Sequence, residues 1–324
     1  MTAAAPQPGE AATGTPAAGT PAAATPAAGT PAAATAAAAT AAAATAAAGT
    51  AAAGTATGTA AGTAAEPAAA GAAAALLEVS DLRVEFAGVH AVAGASFVIM
   101  PGVITGLIGP NGAGKSTTLK LIAGSERPTG GRVVYGGQDI TGHPVHQVAR
   151  RGLIRTFQLS SEFARLTVLE NLLVAVPGQR GASFLSALRG KRYWRAQQEE
   201  LLTRASALLA EFGLTHAADQ YAGELSGGQK RLVEIMRALM AQPRMLLLDE
   251  PLAGVNPSLR EAITEHLARL RDEGLTMLMV EHELAAVDRC CDSVIVMAAG
   301  RVLAEGPMQE IRANKEVVDA YLLG

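Results

Sequence analysis

Cysteine, positive charge near the amino end and long runs of large apolar residues are what this sequence has little of. Its two cysteines, Cys290 and Cys291, are adjacent, and sequence neighbours seldom form a structural bridge, so the chain suits a reducing compartment. Residues 1 to 75 contain no lysine or arginine and almost nothing but Ala, Thr, Gly and Pro. Threonine recurs there every five residues from Thr15 to Thr50, a period too short for a solenoid unit. With no large side chain to bury, such a segment does not offset its ordering entropy, and a disordered tail is expected ahead of a folded part at 76–324. Nothing in that tail resembles the Leu/Ile/Val-rich span of about 20 residues that a bilayer requires. The start, Met1-Thr2-Ala3-Ala4, has neither the basic region nor the apolar region of a secretory leader. A cytoplasmic protein is expected, with any membrane contact made through another subunit. The net charge is −3, of which Glu10 and Glu66 supply −2, leaving −1 for the rest. That near neutrality argues against a nucleic-acid partner.

What is present begins near Leu76. Leu76 to Phe86 alternates as a half-buried strand should, and Ala95 to Met100 reads as a second strand. Val103 to Ile108 is a short apolar run ending at glycine, the pattern of a buried strand. Helical spacing follows Lys115, returns over Leu201 to Phe212 and again over Leu232 to Leu239. Further strands are expected at Met245 to Leu248, Thr276 to Val280 and Val294 to Met297. Strands separated by helices imply an α/β fold with a mainly parallel sheet covered on both faces. The stretch from about 160 to 241 has helices but no convincing strand, as a helical insertion would.

Gly109-Pro110-Asn111-Gly112-Ala113-Gly114-Lys115-Ser116 fits the phosphate-loop pattern, directly after one expected strand and before a helix. Its glycines let backbone N–H groups turn inward around phosphate oxygens, and the helix adds its positive end. Lys115 reaches the β- and γ-phosphates, Ser116 offers a hydroxyl oxygen to Mg²⁺, and Thr117 continues the contact. Met245 to Leu248 runs into Asp249 and Glu250, so that one acid holds the metal and the next orients or deprotonates a water. Alone, an apolar run ending in two acids is a common solvated strand end. Beside a phosphate loop it points to nucleotide hydrolysis. Leu225-Ser226-Gly227-Gly228-Gln229 precedes a helix, and small residues with a serine cap make a second anion site.

Placed between the phosphate loop and the Asp249–Glu250 strand, Leu225 to Gln229 resembles the signature of the ABC ATPases, and the likeness extends over 76–324. The resemblance implies a P-loop NTPase, RecA-like core carrying an antiparallel β subdomain and an α-helical subdomain at about 160–241. It also implies ATP and Mg²⁺ as cofactors and two cassettes paired head to tail, as a homodimer or with a similar subunit. Ser226, Gly227, Gly228 and Gln229 of one cassette then close over the ATP of the other. Phe86 matches the aromatic that stacks on adenine, although a strand-end core aromatic would look the same. Gln158 matches the glutamine that touches Mg²⁺ and water, and His282 the histidine that hydrogen-bonds the γ-phosphate. Integral membrane permease subunits are the implied partners, with the cassette on the cytoplasmic side of the inner membrane. His90, His143, His146, His216 and His266 are expected at the surface or in loops.

After Pro251 the chain departs from the commonest family pattern, with Ala253-Gly254-Val255-Asn256-Pro257 where many cassettes have Ser-Ala-Leu-Asp. Asn256 keeps hydrogen-bonding capacity without charge, which leaves a dimer contact open. The same loop is similar to that of branched-chain amino-acid importer ATPases. Arg155-Thr156-Phe157-Gln158, the insert after Glu170 to Val174 and the ending from Ile311 to Gly324 agree with them. Cassettes for urea or amide import, for lipopolysaccharide export, or for soluble assembly work share some of these marks. The basic insert from about Val176 to Arg195 reads either as a solvated helix and loop or as a segment near anionic lipid.

Overall fold

The computed structural model describes residues 74–156, 163–179 and 191–323. The alanine- and threonine-rich stretch up to residue 73, residues 157–162 and most of the basic insert lie outside that range.

Two sheets form. The antiparallel one comprises β1 (Leu77–Phe86), β2 (Val89–Ile99), β4 (Gly130–Tyr135) and β5 (Gln138–Asp139), in the order β2-β1-β4-β5. Leu77, Val79, Leu82 and Val84 are the buried positions of β1 while Glu78, Ser80 and Arg83 are exposed, the pattern of a sheet with one wet face. β2 starts at Val89 rather than near Ala95. Its extra residues pair with β1 through a two-residue turn in which Ala87 (φ 47°) and Gly88 (φ 84°) are both left-handed, the turn geometry that follows the natural strand twist.

The second sheet comprises β3 (Ile104–Ile108), β6 (Leu153–Arg155), β7 (Met245–Asp249), β8 (Thr276–Val280), β9 (Ser293–Ala298) and β10 (Arg301–Gly306). Its order is β10-β9-β3-β8-β7-β6, parallel throughout except for the antiparallel edge pair β9–β10. Every residue of β3, β7 and β8 is buried, which is why these strands read as unbroken apolar runs. Alternate residues serve opposite faces. Leu107, Leu247, Leu278 and Ile295 join the core shared with the antiparallel sheet and with α1 (Lys115–Ile122). Leu246, Leu248, Met277 and Met279 join a second core with α3 (Val168–Val174), α4 (Lys191–Glu211), α5 (Gly227–Met240) and α6 (Pro257–Asp272). The other helices among the described residues are α2 (Val145–Arg150), α7 (Leu284–Cys290), α8 (Met308–Ala313) and α9 (Lys315–Leu323). The last two cover Ile108, Val294 and Val296 from the outside through Met308, Ile311 and Val317.

Among the described residues no strand intervenes between β6 and β7. That span holds α3, α4, α5 and two short 3₁₀ turns, joined by one bridge between Thr167 and Tyr221. Two of its helices start with reciprocal caps, Thr167 with Glu170 and Ser226 with Gln229. His266 is a correction to the surface expectation. It is buried on α6, its ring stacked on Phe212 with centroids 4.2 Å apart.

Candidate active site

Three neighbouring parallel strands deliver their carboxyl ends to one edge of the sheet. β3 runs into the loop 109–114, β7 into Asp249 and Glu250, and β8 into Glu281 and His282. Open α/β sheets bind ligands at such an edge. The loop needs its glycines. Gly109 has φ 147° and a Cβ there would stand 2.0 Å from the Met297 carbonyl oxygen, while Gly114 has φ 97° and a Cβ there would stand 2.4 Å from the Ala91 carbonyl oxygen. Gly114 is also the cap residue from which α1 starts, so the first amide groups of that helix face the loop.

Lys115 is buried, and its Nζ donates to the carbonyls of Gly109 at 2.7 Å and Pro110 at 2.9 Å. Desolvation lowers its pKa, and the charges of Glu250 and Asp249 oppose that shift. Ser116 Oγ donates to Asp249 Oδ1 at 3.3 Å, while the Arg155 guanidinium donates to Asp249 Oδ2 at 2.8 Å. Hydroxyl and carboxylate oxygens side by side are the hard donors that a magnesium ion takes. Glu250 Oε1 lies 2.8 Å from His282 Nε2. Glu250 itself is left-handed, at φ 50°, an uncommon conformation for a residue with a Cβ and one that clusters at active sites. Two bonds hold it there: its N–H donates to the Val280 carbonyl at 3.0 Å, and its carbonyl accepts from Arg231 at 3.0 Å. Glu281, buried beside it, accepts the Leu252 N–H at 2.9 Å, and desolvation raises its pKa.

Lys115, Ser116, Glu250 and His282 line a cleft of about 370 Å³ whose walls also include the rest of residues 111–117. The opposite wall is Val89, His90 and Ala91 from the start of β2, so His90 belongs to the cleft rather than to an uninvolved loop. A larger cleft of about 460 Å³ opens at the far edge of the sheet, between Leu76, Pro101, Leu239 and Thr276, away from the phosphate loop.

Not every expected residue converges. Phe86 ends β1 next to the Ala87-Gly88 turn and is 46 % exposed, so it is no core aromatic, and the cleft walls do not include it. Ser226 to Gln229 are also absent from those walls among the described residues. There Ser226 Oγ accepts the Gln229 N–H at 3.3 Å, while the Ser226 N–H donates to Gln229 Oε1 at 3.0 Å. Gly228 is tight against the neighbouring helix, for a Cβ there would lie 2.5 Å from Leu259 Cδ2. Gln158 lies outside the described residues. Asn256 caps α6, its Oδ1 accepting the Leu259 N–H at 2.9 Å. Arg155 and Arg231 had no place in the sequence reading of the site. Their contacts depend on strand and helix neighbours that a linear pattern does not reveal.

A family model described as ABC transporter matches residues 92–253, spanning the phosphate loop, the Ser226 motif and the Asp249–Glu250 pair. This chain belongs to the ABC transporter ATP-binding family. The cassette is therefore an ATPase coupled to transport, and the nucleotide it binds is ATP. A second model, described as branched-chain amino acid ATP-binding cassette transporter, matches residues 301–322. The cassette is 40% identical over 248 residues to the high-affinity branched-chain amino acid transport ATP-binding protein BraF of Pseudomonas aeruginosa, covering 76% of this chain and 97% of that one. It is 39% identical over 247 residues to a probable branched-chain amino acid transport ATP-binding protein LivG of Archaeoglobus fulgidus, at 76% and 95% coverage. Among solved structures, a nucleotide-free ATP-binding cassette from an ABC transporter matches with a TM-score of 0.67 and 37% identity, over 76% of this chain and 99% of that one. The cbiO1 subunit of a Clostridium perfringens ABC transporter complex matches with a TM-score of 0.62 and 29% identity, over 77% and 95%. Among the described residues no helix of the cassette is long and apolar enough to cross a membrane.

Proposed function

We propose that the cassette hydrolyses ATP to energise the import of branched-chain amino acids, working on the cytoplasmic face of the inner membrane and held there by permease subunits. The names of the relatives and the match of the carboxyl-terminal segment support that solute class. The observation that carries the catalytic reading is the shared cleft: the phosphate loop, Glu250 and His282 form its walls, with Asp249 against Ser116 beside it.

In this reading the amides of 111–117 and the Lys115 ammonium grip the β- and γ-phosphates. Glu250 takes the proton of the attacking water, His282 orients Glu250 and meets the γ-phosphate, and Phe86 stacks on adenine. Ser116 and Asp249 hold Mg²⁺, joined by Gln158, and the ion supplies charge neutralisation at the phosphates. The fit is chemical. Among the described residues no cluster of three or more His, Cys, Asp or Glu could hold a metal unaided, and magnesium that keeps water and phosphate ligands needs only one or two protein oxygens. Because Ser226, Gly227, Gly228 and Gln229 stand apart from the cleft of their own chain, the reading has them close over ATP bound by a second copy or a similar subunit. His282 then sits between the γ-phosphate and the base.

Replacing Glu250 with Gln tests this. Turnover should fall by roughly 10²- to 10⁴-fold while ATP binding persists, and wild-type-like hydrolysis by the variant would remove Glu250 from the role. Vesicles carrying the permeases and the wild-type cassette should accumulate leucine with ATP inside the cytoplasmic compartment, and vesicles with the Gln variant should not.

A further inference from the structure

Asp249 is fully buried, and among the described residues the cation that contacts its carboxylate is Arg155, whose side chain is itself 10 % exposed. Lys115, the other nearby positive charge, is occupied by two carbonyls of its own loop. The contact between Arg155 and Asp249 crosses two strands. β6 and β7 run parallel with Arg155 opposite Leu247, and the long guanidinium reaches two residues further along β7. Thr156 fixes that reach, its N–H donating to the Leu247 carbonyl at 2.9 Å and its hydroxyl accepting the Asp249 N–H at 3.4 Å.

The pair is not built like a permanent ion pair. A structural Arg–carboxylate contact tends to use the guanidinium fork in two parallel bonds. Here one nitrogen meets one oxygen at 2.8 Å, the other carboxylate oxygen takes the Ser116 hydroxyl, and the buried Arg155 Nε has no partner among the described residues. Arg155 therefore neutralises the carboxylate through one of its oxygens, and the other turns to the Ser116 hydroxyl.

We propose that Arg155 is a positioning residue that acts as a resident counter-charge for Asp249 and thereby sets how much Mg²⁺ the site requires. The inference rests on the metal assignment to Ser116 and Asp249 made above. Its physical basis is competition. A fixed positive charge within a few ångströms of a carboxylate lowers the attraction of that carboxylate for any second cation, as it lowers its attraction for a proton. In its absence Asp249 is left buried and uncompensated, and an arriving divalent ion supplies the missing charge.

The test compares the intact protein with Arg155→Met, Arg155→Lys and Asp249→Asn, reading ATP binding and melting temperature against free Mg²⁺. Arg155→Met should reach half-saturation in Mg²⁺ at roughly a tenth of the wild-type concentration, the size of effect one close charge exerts on a carboxylate. Its affinity for ATP in EDTA should be no higher than that of the wild type, because no cation then replaces the lost charge. It should melt lower without nucleotide and gain more on adding Mg²⁺ and ATP. Arg155→Lys keeps the charge and should keep the wild-type Mg²⁺ requirement. A role in packing alone would lower the melting temperature and leave Mg²⁺ half-saturation where it was. A requirement equal to or above wild type in Arg155→Met overturns the proposal. Arg155→Gln, held to the same criterion, covers the case in which the methionine variant does not fold. Asp249→Asn separates the two levels: if it leaves the Mg²⁺ dependence untouched, the metal assignment itself is wrong, and if it abolishes that dependence while Arg155→Met behaves as wild type, only the role of Arg155 fails.

Discussion

Replacing Arg231 with methionine should damage both the stability of the cassette and its turnover, and a second substitution should pull the two effects apart. Arg231 on α5 bonds Glu234 Oε2 at 2.6 Å with its NH1 and the Glu250 carbonyl at 3.0 Å with its NH2, and the pair is 11 % and 7 % exposed. Removing the cation takes one charge-assisted contact from a buried carboxylate, a loss of ~1.5–3 kcal/mol. The carbonyl loses a charge-assisted bond of ~1.5–3 kcal/mol as well. Glu250 is left-handed and held partly by that bond, so its carboxylate should sample positions away from the cleft. A penalty of ~1.4 kcal/mol in reaching the reactive position is tenfold in rate. Arg231→Met together with Glu234→Gln removes the charge that faced the guanidinium and keeps its shape, so urea unfolding should return part of the stability lost in the single variant. Steady-state ATP hydrolysis should remain about tenfold down, because the tether on Glu250 is still missing. A double variant that regains full turnover along with stability would show that the Arg231 contact does nothing for Glu250.

Two further expectations concern stability. Burial, with the Arg269 charge beside it, lowers the pKa of His266. The unfolded chain then binds the proton more readily, so this contribution is complete above the ordinary histidine value of about 6.5 and is lost as pH falls through the lower folded-state value. Urea midpoints measured from pH 7.5 down to 5 should decline more steeply for wild type than for His266→Phe, which keeps the stack on Phe212, and parallel curves would refute the assignment. Asn256→Ala should lose about 1 kcal/mol through the missing cap on α6, whereas Asn256→Asp should lose little. Equal urea midpoints for the Ala variant and wild type would rule the cap out.

What the linear sequence made legible follows from burial on two faces. β3, β7 and β8 are enclosed by helices or by the other sheet, so their apolar runs are continuous and their ends, where the chemistry sits, are marked by the first glycine or acid. The Ser226 cap was legible for the same local reason, since serine followed three residues later by glutamine is a helix start. β4 was missed because it opens with Gly130 and Gly131, residues that ordinarily mark a turn. The early start of β2 was missed because Ala87 is an unusual residue for a left-handed turn position, and with it went the placement of His90 in the cleft wall. His266 shares a helix face with Ile263 and Leu267, and that three- and four-residue spacing was the available signal for its burial. The contacts of Arg155 and Arg231 had no such signal. A three-residue strand gives no register from pattern alone, and the Glu250 carbonyl is a backbone acceptor that no motif encodes.

The Lys115 ammonium, tied to the Gly109 and Pro110 carbonyls, has one more consequence. A phosphate loop of this kind is wound around its own cation, and its carbonyls share in setting its shape. Incoming nucleotide exchanges peptide oxygens for phosphate oxygens around the same nitrogen, so the hold on the tail of ATP is a difference between two good solvations rather than the full attraction of a bare charge. Departing product lets the nitrogen fall back on its own backbone. A rotary of partners around one fixed charge thus lets a machine that must release its spent fuel on every stroke do so without unfolding its grip.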